Sequence, residues 1–237
     1  MRIMSFNTEA CRNYYKRFID FDIMAKAIDD CNPDIVGLNE IRDKGSHEDF
    51  DAQAKILSEK TEIENYFFAK AIDVLMYGEN NPYGNALLSK YKIIEANVIP
   101  VPDPPQENRK GTRPYESRCL LKAKLENGLT VLVIHFGLND DEQENAIKTV
   151  LDNLEDKKCI LMGDFNVTPD NHLLDPIRER MIDTASVFSE EKLSHPSDNP
   201  NKKIDYIFVS KDIEVVSADI PPIDASDHRP HIADIKF

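Results

Sequence analysis

Residues able to hold a metal ion or move a proton recur at the tips of apolar runs along this chain. The clearest case is Cys159-Ile160-Leu161-Met162-Gly163-Asp164-Phe165-Asn166. Its apolar part is short enough for a strand buried on both faces. Alternation along a strand puts Asp164 and Asn166 on one side of the tip and turns Phe165 back toward the core. A carboxylate beside an amide offers oxygens to a hard divalent cation and hydrogen bonds to a phosphate. Five further tips carry Asn7, Glu40, His135, Asp205, and Asp227 with His228. Each alone has an ordinary explanation, since Asp and Asn favour turns and single motifs are weak signals. Packing does not require strand after strand to end this way, whereas phosphoester hydrolysis needs such a cluster.

Stepping outward from these residues, apolar periodicity predicts the elements that must position them. A strand is expected over 3–7, then a helix from Phe21 in which Met24, Ala27, Ile28 and Cys31 share a face and Asn32-Pro33 ends it. A strand over 35–41 carries Glu40, and a short helix is expected within 50–60. Strands over 66–71 and 85–88 flank a turn-rich stretch at 78–84, and 93–101 continues the sheet pattern. Residues 118–125 and 129–136 read as a hairpin joined at Asn127-Gly128. The acidic opening Asp140-Asp141-Glu142 starts a helix striped by Ile147, Val150, Leu151 and Leu154. Three last strands are expected over 204–209, 214–218 and 231–237. No repeat or linker interrupts the chain, so residues 1–237 are expected to form one domain.

The formal charge of -14 repels a polyanion at long range, which disfavours nonspecific nucleic-acid binding. Cys11, Cys31, Cys119 and Cys159 lack C-x-x-C spacing, so neither a zinc site nor a disulfide framework is indicated. No apolar run approaches the roughly 18 residues that cross a bilayer, and no secretory segment follows Met1, so a cytoplasmic protein is expected. The proline-rich stretch 102–114 is expected to be an exposed loop. With Arg109, Lys110 and Arg113, and with Arg118, Lys202 and Lys203, it forms either a basic rim or a solvated face. Arg118 is the cation best placed to grip phosphate in a bidentate way.

Ser5-Phe6-Asn7, Leu38-Asn39-Glu40, Gly84 to Ser89, Glu116 to Arg118, His135, Gly163-Asp164-Phe165-Asn166, Ile204-Asp205-Tyr206-Ile207 and Ser226-Asp227-His228-Arg229-Pro230, in that order, span almost the whole chain. Together they resemble the endonuclease/exonuclease/phosphatase superfamily. The resemblance implies an α/β, four-layer αββα sandwich of two packed, mainly antiparallel or mixed sheets, with the site at one rim. It implies Glu40 as the principal Mg²⁺ ligand, with Asn7 and Asp227 near the same ion, and Mn²⁺ as a substitute. Magnesium suits such an all-oxygen set better than zinc does. Asp164 would orient or deprotonate the attacking water, and Asn166 would hold a phosphate oxygen. His135 and His228 would donate to the phosphoryl oxygens, with Asp205 fixing the tautomer of His228 and stabilising its charged form. Whether Asp164 or His228 is the base stays open.

Asn39 stands where the family usually has Gln, and Ile134 where a hydroxyl residue is common; both bear on hydrogen bonds behind the site. The family's substrates range from nucleic acids to lipid headgroups, so resemblance does not choose among them. The acidic surface favours a small or lipid-derived phosphate ester as substrate. A nuclease is the alternative, and a noncatalytic scaffold is a third reading that the full set of catalytic residue types opposes. Nothing in the sequence bears on oligomeric state.

Overall fold

The computed structural model describes residues 1–76 and 78–237. Among the described residues, twelve strands form two six-stranded sheets. In the first, the order is β11(Glu214–Asp219), β12(His231–Lys236), β1(Arg2–Asn7), β2(Ile35–Arg42), β4(Glu79–Ser89), β3(Asn65–Met76). In the second it is β5(Ile93–Pro100), β6(Cys119–Leu125), β7(Thr130–His135), β8(Cys159–Asp164), β10(Asp205–Ser210), β9(Met181–Asp183). Only β1 with β2 and β7 with β8 pair in parallel; the other neighbours are antiparallel.

The alternation of apolar side chains decides the layering. In β8, Ile160 and Met162 point between the sheets, where they meet Ile3, Ile35, Leu121, Val133 and Ile207. Leu161 points the other way, onto Ala146, Ile147 and Val150 of α3(Asp140–Asn153). Met4 and Phe6 of β1 likewise pack under Met24 and Ile28 of α1(Phe21–Cys31) and Leu57 of α2(Gln53–Thr61). A strand apolar on both sides therefore ends up with a sheet on one side and helices on the other, giving the α/β/β/α sandwich. The sheets come so close at Gly37 that a Cβ there would sit 2.5 Å from Met162 Sδ.

The helices start and stop where the residue types say. Asp20 caps α1 by accepting from the Ile23 N–H at 3.2 Å, and Asn32 ends it in the left-handed conformation ahead of Pro33. At α3, Glu142 reaches back to accept from the Asn139 N–H at 3.2 Å.

One expectation needs correction. Within the stretch 78–84, Gly78 is in a turn as expected, but 79–84 is strand: β3 and β4 are longer than their apolar cores and pair from Asn65↔Ser89 out to Met76↔Glu79. The glycine of β4 serves a close backbone approach at a bulge, since a Cβ on Gly84 would lie 2.1 Å from the Ala69 carbonyl. The segment between β8 and β10, which carries no clear period, holds α4(Asp175–Arg180), β9 and short 3-10 turns.

Candidate active site

Strand register builds one half of the site. His135 ends β7 and Asp205 opens β10, and both pair directly with Asp164 at the end of β8. The second sheet thus presents His135, Asp164 and Asp205 side by side. The first sheet supplies Asn7, which pairs with Asn39 across β1 and β2, and Glu40 one residue further on. The loop before β12 adds Asp227 and His228.

Side-chain contacts join the halves. Asn7 Nδ2 donates to Glu40 Oε1 and Asp164 Oδ2, each at 3.1 Å, while its Oδ1 accepts from the Glu9 N–H. His228 stands between two carboxylates, with Nδ1 2.9 Å from Asp205 Oδ2 and Nε2 3.7 Å from Asp164 Oδ2. His135 Nε2 is 3.5 Å from Asp164 Oδ2 and 4.0 Å from Glu40 Oε1. Its Nδ1 lies 2.9 Å from Arg118 NH1. Guanidinium cannot accept, so Nδ1 is the acceptor and the ring proton sits on Nε2, aimed at the carboxylates.

The backbone departs from regular strand where the chemistry concentrates. Glu40 has φ 57° at the bulge in β2, and Asn166 has φ 51°. For residues with a Cβ each left-handed conformation costs about 1–2 kcal/mol. Strand alternation therefore does not carry Asn166 to the site. The strand stops at Asp164, the Asn166 N–H donates to Asp164 Oδ1 at 2.9 Å, and the turn brings Asn166 Nδ2 to the Phe136 carbonyl and within 3.2 Å of His135 Nε2. Phe165 is fully buried against Phe136, with ring centroids 4.4 Å apart, as expected.

These groups titrate abnormally. Burial raises the Asp164 carboxyl to about 7, opposed by the charge of His228. Burial also works against a charged His228, but Asp205 and Asp164 outweigh it and lift the imidazole to about 10. Asp205 is buried too, yet the adjacent imidazolium holds its carboxyl below the usual value. His135 goes the other way, held well below its ordinary value by burial and the Arg118 charge. Two histidines on one rim are thus set apart, one cationic and one neutral, by their partners. Burial raises the Glu40 carboxyl, with the Asn7 hydrogen bond opposing and the Asp227 charge adding to the shift. A divalent cation beside Glu40 and Asp227 would relieve that crowding of negative charge, so these carboxylates fit a metal. The closest-set groups, His195-Asp227-His228 and Asp164-Asp205-His228, lie alongside. His228 is already bonded to Asp205, so Glu40 remains the better candidate ligand.

The expected cations separate. Arg118 joins the site but is committed to Glu116, at 2.7 Å, and to His135. Both contacts are made through NH1, which positions the imidazole, while Nε is buried with no hydrogen-bond partner. Arg109, Lys110 and Arg113 lie in the exposed loop as expected, where the Arg109 guanidinium stacks on Tyr115 at 4.4 Å. Lys202 is exposed, whereas Lys203 is buried, with Nζ 3.3 Å from the Asp205 carbonyl and 3.4 Å from the centre of the Tyr206 ring. It belongs to no basic rim.

His195 and the role of Asn85 escaped sequence reasoning, whereas Asn39 was expected to bear on hydrogen bonds behind the site. His195 brings Nε2 to 4.0 Å from Asp227 Oδ2 and its ring to 4.6 Å from that of His228. It sits in an aperiodic segment that gave no signal. Asn39 and Asn85 knit the sheets behind the site. Asn39 Oδ1 accepts from the Asp164 N–H at 2.9 Å, its Nδ2 donates to Asn85 Oδ1 and the Ile134 carbonyl, and Asn85 Nδ2 donates to the Cys119 carbonyl. Buried amides inside apolar strands were the available signal.

A sequence profile of the Endonuclease/Exonuclease/phosphatase family matches residues 4–228. A comparison with curated protein sequences finds no match. Among solved structures, an endonuclease/exonuclease/phosphatase from Beutenbergia cavernae superposes with TM-score 0.79 at 21% identity, covering 100% of this chain and 71% of that one. A mannosyl-6-phosphatase from Bacteroides thetaiotaomicron gives TM-score 0.73 at 18% identity with 100% of both chains covered. A humanized D. rerio TDP2 gives 0.68 at 16%, covering 100% of this chain and 99% of that one. At these identities the likeness is one of fold.

Proposed function

Because this chain belongs to the endonuclease/exonuclease/phosphatase family, we propose that it is a Mg²⁺-dependent phosphoesterase acting on small or lipid-derived phosphate esters. One observation carries this reading: His228 is clamped between Asp205 and Asp164 while burial and Arg118 keep His135 neutral, so two imidazole donors, one cationic and one neutral, face one carboxylate-lined point. A scaffold has no use for that separation.

Glu40 would hold the ion, with Asp227 and the Asn7 amide beside it; when bound, Mg²⁺ polarises a phosphoryl oxygen and offsets charge building on it. Mn²⁺ is the expected substitute. His228, cationic through Asp205, donates from Nε2 to a phosphoryl oxygen, and the stabilisation grows as that oxygen gains charge. His135 donates its Nε2 proton to another oxygen. Asn166 holds the phosphate through its side-chain amide. Asp164, whose carboxyl is lifted to about 7, accepts a proton from the attacking water near neutral pH. Because His228 is protonated to about 10, it serves as donor, and Asp164 takes the part of base.

We further propose that residues 1–237 act as one domain. Among the described residues no helix is long and apolar enough to cross a membrane. All four cysteines are buried free thiols, which supports a cytoplasmic setting. The net charge of -14 ranks nucleic acid below small esters as substrate. The test is a panel of phosphomonoesters, phosphodiesters and DNA assayed with Mg²⁺, with Mn²⁺ and with excess chelator. Hydrolysis of a small ester that chelator abolishes is expected; full activity in chelator would remove the metal from the reading. Faster turnover of DNA, with binding that falls steeply as salt rises, would reverse the substrate ranking.

A further inference from the structure

Glu40 also lines a second depression, a cleft of about 290 Å³ whose walls include Arg12, Arg42, Phe50 and Tyr83. Arg42 is an unusual cation. Its side chain is 11% exposed, its guanidinium lies 4.6 Å from the centre of the Phe50 ring, and its Nε is buried with no partner. It donates to the Asp49 carbonyl at 3.2 Å, but the nearest carboxylate, Asp49 Oδ2, is 4.0 Å away on a half-exposed side chain. Arg12 lines the same cleft as Arg42, and among the described residues it forms no ion pair. The acids that share the cleft are engaged elsewhere, Glu9 with Arg17 and Glu116 with Arg118.

Placing two guanidinium groups together, one of them buried, is costly without an anion between them. The arrangement is also held in place. Gln53 donates to the Ala10 carbonyl at 2.8 Å and accepts from the Arg42 N–H at 2.9 Å, so one buried amide ties the turn leading to Arg12 to the end of β2. Three consecutive left-handed residues, Glu9, Ala10 and Cys11, form that turn, and the Ala10 N–H donates to the Glu40 carbonyl at 2.8 Å. A paired, pre-positioned cation site is thus built onto the residue expected to hold the metal, in a chain that is acidic overall.

We propose that the cleft is an anion subsite that receives a second phosphate of the substrate, next to the phosphate being cleaved. Guanidinium forks match phosphate oxygens, and the half-buried Tyr83 ring gives the intervening organic part an apolar wall, while the buried Phe50 ring backs Arg42. The substrate class is then a small organic molecule carrying two phosphates. This rests on the phosphoesterase reading for the reaction, though binding in the cleft does not. Long-range repulsion by the acidic surface still disfavours a polyanion, while a small bisphosphate meets the two arginines at short range.

Two substrate pairs that differ by one phosphate test the subsite and distinguish a nucleotide source from a sugar source: TpT with pTpT, and fructose 6-phosphate with fructose 1,6-bisphosphate. With the Mg²⁺-loaded chain, the bisphosphorylated member of one pair should exceed its partner in kcat/KM by about tenfold or more, mainly through KM. Arg12→Gln should bring that ratio close to one, and it leaves Arg42 and the Phe50 stack in place, so folding is not at risk. Calorimetric titration of pTpT and of fructose 1,6-bisphosphate reads the same subsite without turnover, with binding weakened about tenfold in Arg12→Gln. Hydrolysis of all four compounds without preference, and binding indifferent to Arg12, would overturn the subsite and leave the phosphoesterase reading standing. Arg12-dependent binding of a bisphosphate with no hydrolysis of any ester would do the reverse.

Discussion

Replacing Asp205 by Asn tests the most tightly built part of the site. The substitution keeps the shape and an acceptor for the His228 Nδ1 proton but removes the charge that holds the imidazolium. Both groups are shielded from water, with side chains 6% and 0% exposed, and sit 2.9 Å apart. Losing a pre-organised donor to the charge that develops in the transition state costs about 3–4 kcal/mol. His228 keeps Asp164 at 3.7 Å, so the lower figure applies. At about 1.36 kcal/mol per decade, 3 kcal/mol corresponds to a roughly 10²-fold loss of kcat/KM at saturating Mg²⁺. The assay is steady-state kinetics on Asp205→Asn, His228→Ala and the double mutant, with NMR titration of the His228 ring. The double mutant should be little worse than His228→Ala, because the two residues act through one proton-bearing group. The ring should titrate near 10 in the wild type and well below that in Asp205→Asn. The sign for stability follows: a pKa raised from 6.5 stabilises the fold fully below 6.5, and the contribution fades as pH rises through about 10. Additive losses, an unimpaired Asp205→Asn enzyme, or an unmoved His228 titration would each refute the reasoning.

Glu40→Gln should weaken Mg²⁺ binding measured by calorimetry and raise the Mg²⁺ needed for half-maximal rate, with partial rescue at high Mg²⁺; a rate defect that no Mg²⁺ concentration relieves would assign Glu40 another role. Lys203→Met should stabilise the fold near neutral pH by about 1–3 kcal/mol in urea unfolding, because the wild type keeps a buried ammonium ion there. Burial lowers its pKa from 10.5 to about 8, so the native state sheds the proton first and the wild type gains on the variant as pH rises from about 8 to 10.5. A destabilised Lys203→Met at neutral pH would show that the contacts with Asp205 and Tyr206 outweigh desolvation. Gly37→Ala should cost about 1–3 kcal/mol, read as a lower urea midpoint, since its Cβ would sit 2.5 Å from Met162 Sδ and 3.0 Å from Val133 Cγ2. An unchanged midpoint would mean the sheets can separate locally.

The sequence alone carried the strands, the helix stops and the residues of the rim, because those signals are local. A run such as Ile160-Leu161-Met162 is apolar on both faces whatever it packs against, and Asn32-Pro33 ends a helix by its own stereochemistry. The order of Asn7, Glu40, His135, Asp164, Asp205 and His228 at the ends of apolar runs was equally visible, since a polar residue closing an apolar run stands out whatever the run packs against. Local signals failed where the backbone or a side chain answers to distant neighbours. Asn-rich 79–84 reads as turn, yet it becomes strand because β3 pairs along it and β2 joins at Tyr83 and Gly84. Asn166 reaches the site through a left-handed turn that the Asp164 carboxylate and the Phe136 carbonyl reward. Neighbouring Lys202 and Lys203 look alike in sequence, but one faces water and the other is buried behind Asp205. Charge state is the clearest case. His135 and His228 have the same chemistry as free side chains, and only tertiary structure puts Arg118 beside the first, through β6–β7 pairing, and Asp164 and Asp205 beside the second, through packing of the two sheets. That difference is electrostatic, falls off over a few ångströms, and exists only once residues far apart in the chain have been brought to one rim.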